Sequence, residues 1–205
     1  MQKQISGNNT KAIMNSTRKI VLLNLFCILF FYSVDAQKIV GVKTNIPHWA
    51  TVTPNIGIEV AFWNNMTFEL SGGYNPFEFG DGQQWKHWII WPEVRYWFWE
   101  PFNGHFLGLH GVFAEFNVGG LNLPFDRLAA LKDRRYQGAV NGVGLSYGYT
   151  WIVGNSLLLE VTGGAGYGRL NYDVFSKGKE GFKINEGRKH YFGPTKGAVS
   201  VAYVF

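Results

Sequence analysis

From Gly142 to Trp151 the chain reads GVGLSYGYTW, and the two sides of its alternation are unequal. Val143, Leu145, Tyr147, Tyr149 and Trp151 fall on one side, with glycines, Ser146 and Thr150 on the other. A period of two is a strand. The division recurs downstream, with Leu157, Leu159 and Val161 opposite Glu160, Thr162, Gly164 and Gly166. In the last segment Val199, Val201, Tyr203 and Phe205 stand opposite Lys196, Ala198, Ser200 and Ala202. Bulky apolar residues outward and small or polar residues inward is the arrangement of a barrel in lipid. The expected fold class is all-β, an eight-stranded antiparallel up-and-down transmembrane β-barrel.

Strands are expected near 39–48, 54–63, 66–75, 87–99, 105–117, 138–152, 156–170 and 193–205. A membrane-spanning strand needs about 9–11 residues, which these supply. Asn64-Asn65 tolerates positive φ and joins the second and third strands in a short hairpin. With Glu100–Gly104 and Val153–Asn155 it forms a short-turn, periplasmic end. The longer connections, 48–53, 75–85, 119–137 and 171–192, are expected to be extracellular loops. Pro92 lies mid-strand without an N–H, so a bulge or register change is expected there. The aromatic clusters Trp85–Trp91 and Tyr96–Trp99 read as girdles at the two interfaces.

Residues 14–37, MNSTRKIVLLNLFCILFFYSVDAQ, have a basic start at Arg18 and Lys19, a short apolar run and small residues at Val34 and Ala36. This is the pattern of a secretory signal peptide, residues 1–36, with Met14 as an alternative start. The mature barrel is then 37–205. Cys27, the only cysteine, lies inside that apolar run behind the bulky Phe26, unlike a lipoprotein's acylated cysteine. The mature chain is cysteine-free, which excludes a disulfide scaffold and thiol chemistry. Losing Lys3, Lys11, Arg18, Lys19 and Asp35 lowers the net charge from +5 to about +2. No nucleic-acid partner is expected.

The inward face carries Lys43, Glu59, Glu69, Glu93, Arg95, Glu160 and Lys196. Ions removed from water cost several kcal/mol each unless paired. Seven of them in a narrow lumen are therefore expected to form a closed ion-pair network. The alternative is a small-solute channel lined by the same residues.

His110 is a lumen residue within reach of Glu59 or Glu93. Alone it does not meet the needs of a metal site, and no catalytic, cofactor or metal residue is assigned. Ser71, Ser146 and Ser200 are assigned inward, so a lipid-facing His/Ser pair of the lipid A deacylase type is not supplied. The last loop, with Lys177, Lys179, Lys183, Arg188 and Lys189 against Asp173, Glu180 and Glu186, suits lipopolysaccharide phosphates or an anionic polymer. FDRLAALKDRRY, from Phe125, is expected to form a short amphipathic helix on Leu128 and Leu131.

The stretches KTNIPHWATVTPNIGIEV, ELSGGYNPF, HWIIWPEVRYWFWEPFNGHFLGLHG and FNVGG resemble an uncharacterised family of Bacteroidetes outer-membrane proteins with an OmpA-like eight-stranded barrel. The resemblance covers nearly the whole mature chain and implies location more than activity. Phe205 is similar to the terminal aromatic that the barrel assembly machinery reads. Some members are encoded near fimbrial assembly components, which extends the expectation to a surface or fimbrial partner. The expected function is a non-enzymatic outer-membrane barrel, in contact with outer-membrane lipid and lipopolysaccharide, presenting loops for anchoring, adhesion or envelope integrity. A lipid-modifying enzyme is the runner-up.

Overall fold

A computed structural model describes residues 40–79, 83–120, 131–132, 134–176 and 181–205. The expected signal peptide and Leu128 of the expected helix lie outside the described residues.

The strands are β1 (Val40–Asn45), β2 (Asn55–Trp63), β3 (Met66–Asn75), β4 (Glu78–Phe79), β5 (Gln83–Trp97), β6 (Gly104–Gly119), β7 (Arg134–Ile152), β8 (Leu157–Ser176) and β9 (Lys183–Val204). Every pairing is antiparallel, and β9 returns to pair with β1 while β3 pairs with β5. Asn75 faces His87 and Glu78 faces Gln84 in one continuous register. Hence β4 continues β3 beyond Pro76-Phe77, and the wall is a closed, barrel-like ring of eight strands. Closure leaves no unpaired edge where β9 meets β1, at Ser200–Val204, whereas above this β9 pairs with β8 alone.

Within the lower part of this ring the large apolar residues are outside. Ile58, Leu70, Leu109 and Val143 are all exposed, and Leu145 is 67% exposed. The polar residues are inside, with Arg95 at 0%. The alternation of the sequence therefore has the inverted sense expected of it. Inside the short-turn end, Trp97, Phe106, Phe102 and Leu158 are buried together as an apolar floor. Phe102 reaches it from the turn with a left-handed φ of 67°.

Three expectations are corrected. β1 ends at Asn45 rather than near residue 48, because Pro47 opens a helical turn, α1 (Ile46–Ala50). The strand is tied off there by Asn55, whose Oδ1 accepts the Asn45 N–H at 2.6 Å.

The second correction concerns Pro92, where no register change occurs. β3 pairs straight through it, Leu70 facing Pro92. Toward β6, Ile90 faces Phe113 and Glu93 faces His110 in the same register, with the ladder interrupted only between them. The missing N–H thus removes bonding to one neighbour while the other holds the strand in place. One of the register shifts falls instead at Pro194, where Gly164 faces Lys196 but Ala165 faces Pro194, leaving Thr195 as an extra residue.

Third, much of the long loops is strand. β7, β8 and β9 run to 19, 20 and 22 residues. Residues 134–137, 171–176 and 183–192, read as loop, extend the wall. Alternation persists there with the opposite sense. Val140 pairs with Leu170 and Tyr136 with Val174 on the inner side, while Asn141 pairs with Arg169 and Gln137 with Asp173 outside. An apolar interior with a polar exterior is the ordinary arrangement for a sheet in water. The helix expected around FDRLAALKDRRY is overtaken at Arg134–Tyr136 by β7, and Leu131 sits in a short turn before it.

Candidate functional site

The most concentrated chemistry among the described residues is inside the ring. Register alone places three carboxylates side by side, Glu59 opposite Glu69 and Glu69 opposite Glu93. Like charges directly opposite one another destabilise a sheet. Cations enter this row from neighbouring positions. Lys43 Nζ lies 2.6 Å from Glu59, 2.8 Å from Glu160 and 3.2 Å from Glu69. Lys196 pairs with Glu69 at 3.1 Å and also with Glu93.

Arg95 joins all four carboxylates. Its Nη1 is 2.9 Å from both Glu59 and Glu160, its Nε 3.2 Å from Glu93, and its Nη2 pairs with Glu69. Phe106 lies under its guanidinium, 4.2 Å from the ring centroid. A planar fork with five donors can serve several acceptors at once, which an ammonium cannot do in one plane. Remaining acceptor capacity is taken by hydroxyls: Thr67 on Glu59, Ser146 on Glu93 at 2.6 Å, and Thr162 on Glu160 at 3.0 Å. The seven charged residues singled out in the sequence are thus brought into one buried cluster.

Glycines make room for it. A Cβ on Gly108 would collide with the Glu93 carboxylate and the Ser146 hydroxyl. One on Gly144 would come within 2.7 Å of His110 Nε2. One cavity beside the cluster, of about 30 Å³, is bordered by Lys43, Glu69, Trp91 and Lys196. That is the space of a single water.

His110 is buried at the upper edge of the cluster, but it bonds neither Glu59 nor Glu93. Its Nε2 meets Thr195 Oγ1 at 2.8 Å, and its Nδ1 has no hydrogen-bond partner. Ser146 donates to Glu93, so it does not pair with His110. The Thr195 carbonyl also accepts the Trp91 indole N–H at 3.2 Å, and Trp91 stacks on His48 of α1. Thr195 was missed in the sequence because strict alternation from Lys196 turns it outward. Pro194 was its available signal, by the argument applied to Pro92.

Three of the five basic loop residues are among the described residues. Lys183, Arg188 and Lys189 lie on β9. Lys183 is held by Asp173 at 2.9 Å and Glu186 at 2.8 Å, hydrogen bonds that raise its pKa. Arg188 and Lys189, adjacent on a strand, point to opposite faces. Lys177 and Lys179 lie outside the described residues. Phe205 is exposed on the ring's outer face, its N–H donating to the Val40 carbonyl at 2.9 Å.

Over residues 20–205 the sequence matches the family described as a protein of unknown function, DUF3575. The chain belongs to this family. No curated protein matches it. The family description assigns no activity, so the function of a DUF3575 chain has to be read from its residues.

At the upper rim of this DUF3575 chain two histidines hold α1 against the wall. His48 stacks on Trp91, and His87 Nε2 lies 3.3 Å from Thr53 Oγ1. Burial lowers the pKa of each below its ordinary value of 6.5, and for His48 the neighbouring His87 adds to the effect. Packing therefore favours the neutral form of both imidazoles. Their contribution is complete above pH 6.5 and is lost as the pH falls through their lowered values. Limited proteolysis at α1 should accelerate several-fold between pH 7 and pH 5, because the opened segment takes up protons that the packed imidazoles refuse. A pH-independent cleavage rate would contradict this.

Proposed function

We propose that the chain is an integral outer-membrane β-barrel, exported by its signal peptide, whose charged interior is a structural plug. Its tall wall of β5–β9 stands above the membrane as a platform for surface-structure anchoring, adhesion or envelope integrity. Outer-membrane lipid and lipopolysaccharide surround it, and a surface or fimbrial protein is the partner class the platform suits.

The observation that carries this reading is the reversal of polarity along the same strands. On β7 the outward residues Trp151, Tyr149, Tyr147, Leu145 and Val143 are followed by Asn141, Ala139 and Gln137. The apolar part is about nine residues long, the length of a transmembrane strand. Aromatic Trp63, Trp99, Trp151 and Tyr203 ring its lower edge, with Tyr74, Trp88 and Tyr167 toward the upper one. Such a band in water would be an unusually large exposed apolar patch. In lipid it is matched.

Fractionation supplies the test. The protein should be found in the outer membrane, need detergent for extraction, and migrate faster when unboiled than when boiled. Recovery in the periplasm without detergent would overturn the proposal. Phe205→Ala should slow the appearance of the fast-migrating form, as expected if assembly machinery reads the terminal aromatic. An unchanged assembly rate would remove that role from Phe205.

A further inference from the structure

Two cavities on the outer face of the wall adjoin one another and differ in chemistry. The first, about 520 Å³, is a notch floored by Gly72 and bordered by Trp49, Ile56, Tyr74, Trp88 and Ile90. The absence of a side chain at Gly72, between bulky neighbours on β2 and β5, creates the depression. Its walls are almost wholly apolar, and it lies at the upper edge of the apolar band.

The second, about 600 Å³, also borders Tyr74 and Trp88 and continues onto the polar extension of β6–β8. There it is lined by Glu115, Asn117, Gln137, Asn171 and Asp173. The Trp88 indole N–H donates to Glu115 at 3.0 Å, so one residue spans the junction, its ring in the notch and its polar edge in the groove. Among the described lining residues Lys86 is the one lysine, and it is paired with Glu78.

We propose that notch and groove form one site for a single glycolipid, an acyl chain lying over Gly72 and a sugar headgroup occupying the groove. This rests on the membrane location proposed above. The chemistry of the groove selects the headgroup. Amides and carboxylates beside aromatic rings satisfy hydroxyl groups and stack against the apolar face of a sugar, the usual pairing of a few fixed polar groups with apolar walls in a binding site. With Lys86 held by Glu78 and Asp173 by Lys183, the charge left in the groove is the Glu115 carboxylate, which disfavours phosphate. The site therefore reads the sugar part of the lipid, away from its phosphates. Its height on the wall agrees, since it begins where outward residues change from apolar to polar. An amphiphile seated there keeps its chain and its headgroup each in matching surroundings.

The test uses the full mature protein in nanodiscs of phosphatidylethanolamine with a minor fraction of a sugar-bearing lipid A glycolipid, followed by mild detergent release and native mass spectrometry. The wild type should retain one glycolipid per chain, well above the bulk lipid ratio. Ile56→Trp, which fills the notch from an exposed position, and the pair Gln137→Ala with Asn171→Ala, which strips the groove, should each lower retention about ten-fold, the effect of losing one or two good contacts. Both variants should keep heat-modifiable migration, which separates loss of binding from loss of folding. Retention at the bulk ratio, retention of phospholipid in preference, or equal retention by the variants overturns the site while leaving the barrel reading intact. Protein that stays in solution without lipid overturns both.

Discussion

Replacing Arg95 with alanine should lower the unfolding free energy by about 3–5 kcal/mol, the cost of leaving buried charge uncompensated. No other side chain in the interior cluster contacts all four carboxylates, Glu59, Glu69, Glu93 and Glu160. Without the guanidinium, Lys43 and Lys196 remain for four acids, three of which are neighbours in one row. Truncation also uncovers the face of Phe106. Arg95→Lys should be intermediate, since one ammonium restores charge but not the fork. The double substitution Arg95→Ala with Glu160→Gln should recover part of the loss by removing one stranded carboxylate. Urea titration of the detergent-solubilised protein, followed by tryptophan fluorescence and by heat-modifiable migration, measures all three. A loss under about 1 kcal/mol for Arg95→Ala would show that water, rather than Arg95, solvates these carboxylates.

Gly108→Ala should be nearly as damaging despite adding a single methyl group. That methyl would occupy the space of the Glu93 carboxylate and the Ser146 hydroxyl, moving Glu93 away from Arg95. Overpacking of this kind costs about 1–3 kcal/mol, and displacement of a paired ion adds to it. Gly163→Ala provides the control, because a Cβ there meets nothing within 4 Å. It should be neutral or slightly stabilising. The same urea titration compares them, and equal effects at the two positions would contradict a tightly filled interior.

The interior cluster was legible in the sequence because alternation fixes a face for every residue of an uninterrupted strand. Glu59 and Glu69 share one hairpin face with Thr67, and Arg95 follows Glu93 by two, so a polar lumen could be read without knowing its curvature. Which cation meets which carboxylate could not. Arg95 on β5 reaches Glu160 on β8 across the ring, a contact set by closure and invisible to any local pattern. Thr195 was hidden for a different reason: a single bulge at Pro194 reverses the alternation upstream of Lys196. The polar extension of β7–β9 read as loop because membrane logic was applied to its whole length. NYDV alternates as GLSYGY does, but with its apolar residues Tyr172 and Val174 turned inward. Polar composition marked the end of the apolar band, not the end of the strands.

Planar-bilayer recording tests the proposed sealed, ion-filled barrel most directly. The interior is floored by Trp97, Phe102 and Phe106, crossed by the Arg95 cluster and covered by His110, Thr195 and Trp91, with one cavity of about 30 Å³ beside the charges. Folded wild-type protein inserted into a bilayer should therefore give no sustained current at any holding potential. A steady, ion-selective conductance from the intact wild type would contradict the sealed interior and make the same seven charged residues the lining of a pore.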